Sequence, residues 1–400
     1  MRISYFNYHY DIDGITRGAA AQIRAIASGL ERRGHQVDLH FRAAKQPGRR
    51  EDFGGLKRIT WLRRYGHVPR LLLRNLRLAH EERRILARFR PDVVLAVHFY
   101  CTVSALWAAR RLKVPFVLFF ETPMEYEYSM FHTRYYSYPS LGRWIEGLTV
   151  RAADQIICVS EILKAYIVPY GVPATKVHVV PNGVDHRVFR PQPPDERLVD
   201  HLGLRNRLVV GFVGSFHFFS NIPAFLEIAK SVCAQHPSVV FLFVGEGDAG
   251  RQIRQLAESF GVSRHFIFVG SIPHEEIPRY CSVIDIAISP YRGDYLFYGS
   301  SMKLVEYMAA GKPVVATALG QIKELVSDGC NGMLFEPGDD AALHRKLLAL
   351  IENRDLRMQM GALARKTIEQ GWTWEIQVGR IDKTLRLAVE HASRPGASSG

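Results

Sequence analysis

Short apolar runs rich in β-branched and aromatic residues alternate along the chain with stretches in which apolar residues recur every three or four positions. The runs in the first half are residues 3–8, 37–41, 93–99, 116–120 and 156–159. The runs in the second half are residues 208–214, 239–245, 266–270, 284–290 and 313–317. Such alternation predicts parallel sheets covered by helices, and therefore an α/β fold.

The Pro-rich residues 191–194 separate the two series and are typical of a linker. We therefore predict a Rossmann-like first domain at residues 1–190 and a Rossmann-like second domain at residues 195–370. Residues 371–391 have apolar positions at helical spacing and are expected to form a helix that crosses back to the first domain. Residues 392–400 are rich in Ser, Gly, Ala and Pro and are predicted to be a disordered tail.

Positive charge is concentrated in the first half of the chain. The net charge is +13, and residues 1–190 hold 30 Lys and Arg against 16 Asp and Glu. The excess is densest at residues 42–90, with 15 basic residues and 4 acidic ones. Residues 69–90 also carry an apolar stripe at helical spacing, which predicts a basic amphipathic helix. The stripe is expected to pack on the first sheet, and the arginines either form a solvated face or contact an anionic membrane surface.

The cysteines and the first residues bear on where the protein works. The five cysteines are widely spaced and form no C-x-x-C pair, so neither a disulfide framework nor a zinc site is expected. The chain begins with a strand-like run instead of a signal peptide, and no apolar stretch is about 18 residues long. We expect a cytoplasmic protein, peripheral on the inner face of the membrane if the arginines bind lipid.

Ligands of open α/β sheets bind beyond the carboxyl ends of the strands, and residues 298–316 are the most informative segment of this kind. Gly299 and Ser301 form a flexible entry to a helix whose N-terminal amides attract phosphate. Lys303 adds positive charge in the first turn. Glu306 lies one turn further on the same face, where its carboxylate can accept two hydrogen bonds from a ribose diol. A capped helix with Lys303 and Glu306 as an ordinary surface pair is the alternative.

Two other motifs suggest a cofactor or a metal. Residues 245–250 match the dinucleotide-binding pattern G-x-G-x-x-G between a predicted strand and a predicted helix. They follow the second strand of their domain, and the next strand ends without the acidic residue that holds a ribose, so the match favours NAD only weakly. Asp11 and Asp13 have the D-x-D spacing of metal-dependent transferases, which is also common in turns. We expect no cofactor and no metal.

At residues 298–316 the chain resembles the retaining glycosyltransferase family 4, whose members have two glutamates separated by seven residues before an A-x-G-x-P-V-V-A segment. It is most similar to a subgroup with an S-P-x-K-x-x-E-Y-M-A-x-G-K-P motif, with Ser301 in place of the proline. Further likenesses lie at residues 34–37, 159–160, 181–185, 213–215 and 244–247. The resemblance extends over most of the chain. It implies a GT-B fold, in which two Rossmann-like domains face each other across a cleft.

The resemblance also implies which residues bind the donor. Glu306 stands at the position of the second glutamate, which holds the ribose, and the loop at Ile272 is where the family holds the base. Gly14 belongs to the N-terminal loop that touches phosphate and acceptor. The other implied donor contacts are Ser215, Tyr298, Gly299, Ser301, Met302, Lys303 and Leu304.

The chain departs from the family pattern at three of the positions that matter for the donor. Tyr298 replaces the first glutamate. Ser215 and Asn221 replace the Arg and Lys that usually clamp the diphosphate, and neither can carry positive charge. We infer that Lys303 is the diphosphate cation in this chain.

Two residues at strand ends of the first domain are candidate catalytic groups on the acceptor side. Glu121 stands where the family usually has a histidine that contacts the donor sugar, and it is a candidate acceptor-orienting base or sugar ligand. A helix-capping or solvated role is the alternative for Glu121. His98 ends the preceding strand, and its alternative role is that of a hydrogen-bonded structural histidine.

Together these observations predict a retaining, metal-independent hexosyltransferase of polysaccharide biosynthesis. It moves a hexose-type sugar from a nucleoside-diphosphate sugar to a hydroxyl of a glycan or a lipid-linked glycan. A GT-B sugar-nucleotide epimerase, which converts its donor without an acceptor, is one alternative. A basic nucleic-acid-binding protein is another, although the first half carries no recognised module of that kind, and no nucleic acid is expected as a partner.

Overall fold

The computed structural model describes residues 1–11, 17–42, 67–131, 139–216, 220–247 and 250–393. The chain forms two compact units. The first unit is Met1–Pro181 together with the chain from Gln377 onward, and the second unit is Asn182–Ile376.

A parallel sheet of six strands lies at the centre of the described part of the first unit. Its strands are β1 (Arg2–Asp11), β2 (Gln36–Arg42), β3 (Val93–Val97), β4 (Phe116–Phe120), β5 (Gln155–Cys158) and β6 (Val177–Val179). Their order is β2-β1-β3-β4-β5-β6, so the direction of winding reverses between β1 and β3. The helices before residue 181 are α1 (Arg17–Arg32), α2 (His67–Phe89), α3 (Ser104–Leu112), α4 (Met124–Phe131), α5 (Pro139–Ala152) and α6 (Glu161–Ile167).

The described part of the second unit has its own six-stranded parallel sheet. Its strands are β7 (Leu208–Val213), β8 (Val239–Val244), β9 (Phe266–Gly270), β10 (Ile286–Ser289), β11 (Val314–Thr317) and β12 (Met333–Phe335). The order is β12-β11-β10-β7-β8-β9, with the reversal between β7 and β10. The helices are α7 (Glu196–His201), α8 (Ile222–Gln235), α9 (Gly250–Ser259), α10 (Ile277–Ser282), α11 (Met302–Ala309), α12 (Ile322–Leu325), α13 (Asp340–Glu352) and α14 (Arg354–Gly371).

The strands read as continuous apolar runs because helices cover both faces of each sheet. Every residue of β3 and of β8 is buried. Along β8 the side chains alternate between two separate cores: Val240 and Leu242 belong to one, and Phe241 and Phe243 belong to the other. The predicted α/β fold is therefore confirmed, with two doubly wound sheets.

The last helix, α15 (Trp374–Ser393), packs on α1 within the first unit from Gln377 onward. His35 Nε2 lies 2.9 Å from the buried carboxylate of Asp382. Gly29 leaves room for Val378, whose methyl groups a Cβ at position 29 would overlap. These contacts attach the end of the chain to the first sheet's helical layer.

The structure differs from the sequence prediction at three places. The strands β6 and β12 were not predicted, because three residues are too few to give a periodic signal. Residues 182–190 pack with the second unit instead of the first: Val184 forms a parallel bridge with Thr373, and Phe189 belongs to the same hydrophobic core as Val213 of β7. The inner face of α2 also includes two polar residues, Asn75 and Glu82, that the apolar stripe did not include.

Candidate functional site

Three neighbouring strands of the second sheet end in glycines at its carboxyl edge. Gly214, Gly245 and Gly270 have φ angles of +145°, +131° and +87°, a region that residues with a Cβ rarely adopt. A Cβ at Gly245 would collide with the carbonyl oxygen of Gly214. The ends of β7, β8 and β9 therefore carry no side chain at these three positions, and the missing Cβ at Gly214 leaves room for the side chain of Lys303.

Helix α11 begins beside these glycines. Ser301 is its N-cap residue, and the amides of Met302, Lys303 and Leu304 form the first turn, where no intrahelical carbonyl is available to accept their hydrogen bonds. The side chain of Leu304 is buried in the core, so only its backbone can face a ligand. The start of α11 therefore presents amides without an intrahelical acceptor at the positive end of a helix dipole.

Lys303 brings a positive charge to the end of β7. Its Nζ lies 4.2 Å from the ring centroid of Phe212, in β7, and 4.8 Å from that of Tyr291, which follows β10. No carboxylate of the described residues forms an ion pair with it. The two rings lie in β7 and in the loop after β10. The winding of the sheet reverses between these two strands, and this is where doubly wound sheets bind their ligands.

Two contacts from distant segments fix the position of α11. The hydroxyl of Tyr307 accepts a hydrogen bond from the amide of Val213 at 2.6 Å and donates one to its carbonyl at 2.9 Å. The amide of Asn182 donates to Ser300 Oγ at 2.9 Å, and its side chain donates to the Ser300 carbonyl at 3.0 Å. Helix α11 is thus attached to the end of β7 through Tyr307, and the residue before its N-cap is attached to the loop that opens the second unit.

Glu306, one turn after Lys303, is buried and bound to a histidine. His274 Nε2 lies 2.8 Å from Glu306 Oε1. The hydrogen bond to this carboxylate raises the pKa of His274; burial opposes the shift, and the charges of Glu306 and Glu275 add to it. The imidazole comes from the short 3₁₀ turn His274–Glu276, which follows β9.

The other predicted donor residues lie on loops at the carboxyl edge of the second sheet. Ser215 follows β7, and Ile272 follows β9 and packs partly against the core. Tyr298 and Gly299 precede α11, and a Cβ at Gly299 would meet nothing within 4 Å. Gly14 lies outside the described residues, as does Asp13 of the D-x-D pair.

In the first unit, Glu121 directly follows β4 at the carboxyl edge. Gln22 of α1 donates a side-chain hydrogen bond to Glu121 Oε1. Glu121 Oε2 is buried and has no hydrogen-bond partner in the described part of the chain. Burial raises the pKa of the Glu121 carboxyl to about 7, although the Gln22 hydrogen bond opposes this shift.

His98 follows β3, the neighbour of β4, but it lies deeper. Its Nε2 is 3.0 Å from Glu146 Oε2, both side chains are almost fully buried, and its ring stacks on Phe120 at 4.5 Å. Glu146 also accepts hydrogen bonds from the hydroxyls of Tyr166 and Tyr170, at 2.7 and 2.8 Å. Burial acts to raise the pKa of Glu146, but the hydrogen bond and charge of His98 and the two tyrosines outweigh it, so the pKa is lowered.

Three partners of the predicted residues were missed from the sequence: His274, Gln22 and Glu146. His274 lies two residues after Ile272, in the loop expected to hold the base, and this position is the one feature of the sequence that places it near the donor site. Gln22 and Glu146 lie on helices far along the chain from the residues that they bind. No local pattern indicates either contact.

Two family models match the chain. Glycosyltransferase Family 4 matches residues 16–188, and Glycosyl transferases group 1 matches residues 207–353. Two doubly wound units with these matches define a glycosyltransferase of the GT-B class. Within that class, the chain belongs with the glycosyltransferases of family 4 and group 1. The prediction of a glycosyltransferase is confirmed.

Solved structures show the same fold. Sucrose-phosphate synthase from Thermosynechococcus elongatus superposes with a TM-score of 0.74 at 19% identity, over 96% of this chain and 98% of that one. Anabaena HepE in complex with UDP and glucose superposes with a TM-score of 0.71 at 19% identity, over 96% and 99%. At these identities the likeness establishes the GT-B fold alone.

A curated relative resembles much of the chain in sequence. The α-monoglucosyldiacylglycerol synthase of Streptococcus pneumoniae is 24% identical over 366 residues, which are 86% of this chain and 77% of that protein. The chain spans only between 58% and 62% of the length of six further relatives. Within the described residues, no helix is both long and apolar enough to span a membrane.

Proposed function

We propose that this glycosyltransferase moves a hexose-type sugar from a nucleoside-diphosphate sugar to a hydroxyl of a glycan or lipid-linked glycan, with retention of configuration and without a metal. The observation that carries the proposal is the position of Lys303. Its charge lies at the reversal point of the second sheet, near the first-turn amides of α11 and near Gly214 at the end of β7. A diphosphate is the part of a sugar nucleotide that such a place attracts.

The donor nucleoside extends from this place towards β9. Glu306 accepts the ribose hydroxyls, and the loop at Ile272 contacts the base. Ser215, Tyr298, Gly299 and Ser301 line the route from the diphosphate to the sugar. The complex of HepE with UDP and glucose supports a nucleoside-diphosphate sugar as the donor class.

Glu121 orients the acceptor hydroxyl. The acceptor oxygen forms a bond to the anomeric carbon on the face from which the diphosphate leaves, as retention requires. The bond from that carbon to the diphosphate breaks, and the hydroxyl proton passes to Glu121. A carboxyl whose pKa is about 7 is suited to accept a proton near neutral pH. His98 is buried in a pair with Glu146, which supports a positioning role for His98 on the acceptor side instead of direct contact with the acceptor.

The outer face of α2 supports peripheral binding to an anionic membrane. Leu73 and Leu76 are 67% and 61% exposed, and Arg77, Arg83 and Arg84 lie on the same helix. The Streptococcus pneumoniae relative is named for a diacylglycerol product, which supports a lipid-linked acceptor. Cosedimentation with vesicles of phosphatidylglycerol and phosphatidylcholine tests this, because equal binding to both removes the proposal. Residues 43–66 of the basic stretch lie outside the described residues.

A thermal-shift screen tests the donor. The protein, with a chelator present, is heated with UDP, GDP, ADP, TDP, their common sugar conjugates and NAD, and separately with RNA and DNA. We expect one nucleoside diphosphate to raise the Tm by mass action, and Glu306→Ala to lose the shift. Stabilisation by NAD alone, or by nucleic acid alone, contradicts the proposal. Products formed without an acceptor distinguish transfer from epimerisation of the donor.

A further inference from the structure

The contact between His274 and Glu306 joins two segments that lie 32 residues apart in the chain. The Glu306 side chain is 8% exposed and that of His274 is 23% exposed, so the pair lies at the edge of the core. The ring of Phe189 packs against the imidazole with a centroid distance of 5.7 Å. The imidazole therefore contacts both an aromatic ring and the carboxylate of Glu306.

The hydrogen bond occupies only part of the carboxylate. An ionised carboxylate has two oxygens and about four acceptor positions, of which His274 uses one, on Oε1. Among the described residues, no other side chain donates to Glu306. Because His274 fixes Oε1, the rotation of the carboxylate is fixed, and Oε2 keeps one direction.

We propose that His274 is a positioning residue for the nucleoside: it holds Glu306 so that the carboxylate accepts the 2′- and 3′-hydroxyls of a ribose, and it thereby makes the site prefer ribonucleotides to 2′-deoxyribonucleotides. This inference rests on the proposed donor site at Glu306. His274 itself does not touch the nucleotide. Its effect on binding passes through the orientation of Glu306.

A purely structural role for the pair predicts a different result. If His274 only stabilised the second unit, its loss would weaken a ribonucleotide and its 2′-deoxy form in the same proportion. If it positions Glu306, its loss removes the hydrogen bonds to the 2′-hydroxyl and lowers the preference itself. The ratio of the two dissociation constants therefore separates the two roles.

The experiment measures dissociation constants by titration calorimetry for UDP, GDP and ADP, each beside its 2′-deoxy form. The proteins are the full chain and its variants His274→Ala, His274→Met, His274→Gln and Glu306→Ala. Ala and Met remove the hydrogen-bond donor, and Met also fills the space of the ring. Gln keeps an N–H that can donate to Glu306. His236→Ala is the matched control, because His236 forms a surface pair with Glu352 at 3.3 Å in the same unit.

We expect the unmodified protein to prefer the ribonucleotide by about tenfold, the effect of one hydrogen bond to a charged group. In the Ala and Met variants the preference falls to within about twofold, through weaker binding of the ribonucleotide. The Gln variant keeps most of the preference, and His236→Ala keeps all of it. The Tm of each variant shows whether it folds, and either donor-free variant is sufficient for the comparison.

The possible failures are distinct. An unchanged ribose preference in both donor-free variants, while Glu306→Ala abolishes it, overturns the role of His274 and leaves the donor site intact. A proportional loss for both nucleotide forms has the same consequence, since it indicates a structural pair. If the unmodified protein binds none of the nucleotides, the proposed function fails and this inference fails with it.

Discussion

Replacing Lys303 with Met removes one charge from the candidate diphosphate site and keeps most of the side chain. In the described residues no carboxylate pairs with this ammonium group, so the fold loses only the contacts with the rings of Phe212 and Tyr291. Such cation–π contacts are worth about 0.5–1 kcal/mol each where water has access. The sulfur and methyl of Met fill the same space, so we expect a fall in Tm of only a few degrees.

The effect on binding is expected to be much larger than the effect on stability. A hydrogen bond to a charged group contributes about 1.5–3 kcal/mol, which corresponds to roughly 10- to 150-fold in Kd. We expect Lys303→Met to weaken the nucleoside diphosphate by this factor and the free nucleoside by less than twofold, because a nucleoside has no phosphate. Titration calorimetry at fixed ionic strength measures both constants.

Lys323→Met is the matched control for Lys303→Met. Lys323 lies in the same unit and forms a surface ion pair with Glu336 at 3.9 Å, a type of contact that adds little to stability. We expect its nucleotide affinity to equal that of the unmodified protein. Equal losses in the two variants would mean that net charge acts at a distance, and an unchanged Kd in Lys303→Met would refute the assignment of the diphosphate to this residue.

Three further predictions concern the fold and the acceptor side. The pKa of Glu121 is raised to about 7 from its usual 4.5, so the native state holds this proton more tightly and stability falls as pH rises from about 4.5 to 7. Glu121→Gln should therefore raise the free energy of unfolding at pH 8 by up to about 3 kcal/mol, measured by chemical denaturation, and lower kcat by about 10²-fold or more. The pKa of Glu146 is lowered, so its contribution to the free energy of unfolding is present above about pH 4.5 and is lost as pH falls through the native pKa. Glu146→Ala should lower the free energy of unfolding at pH 7 by about 3–5 kcal/mol, measured by chemical denaturation, because it leaves His98 buried without its partner. An effect below about 1 kcal/mol would contradict this reasoning. Gly245→Ala should fold poorly or lower the Tm by many degrees, because its Cβ would strike the Gly214 carbonyl, whereas Gly329→Ala, at a positive φ with open space around it, should be tolerated far better.

The sequence predicted the strands that are long enough to show a pattern and the site residues that share one turn of helix. Lys303 and Glu306 are three residues apart on α11, so a single segment records their spacing and the Gly-Ser entry before them. The short strands β6 and β12 gave no such signal. Asn75 and Glu82 were missed because their burial depends on hydrogen bonds to the residues around the start of α3, which become visible only after packing.

The partners of the site residues could not be predicted, for a physical reason. Gln22 and Glu121 are 99 residues apart, His98 and Glu146 are 48 apart, and each pair forms because helices pack over a sheet. Hydrophobic periodicity determines which face of a helix is buried, but it does not determine which polar side chain on that face meets which strand end. The partner determines what each residue can do: the predicted catalytic residue His98 is hydrogen-bonded to the buried Glu146, and burial raises the pKa of Glu121 to about 7.

Lys303 can supply the positive charge that the two uncharged residues after β7, Ser215 and Asn221, do not supply. Ser215 and Asn221, after β7, are uncharged, and the backbone amide of Asn221 donates to the carbonyl of Pro290 at 3.1 Å. Lys303 comes from the helix after β10, yet its side chain returns to the end of β7, where a Cβ at Gly214 would lie 3.4 Å from its Cδ. One cation therefore stands at the end of β7 although a different element supplies it. A diphosphate is sensitive to the position of the charge and not to its place in the sequence, so the loss of two basic residues is compatible with the proposed donor.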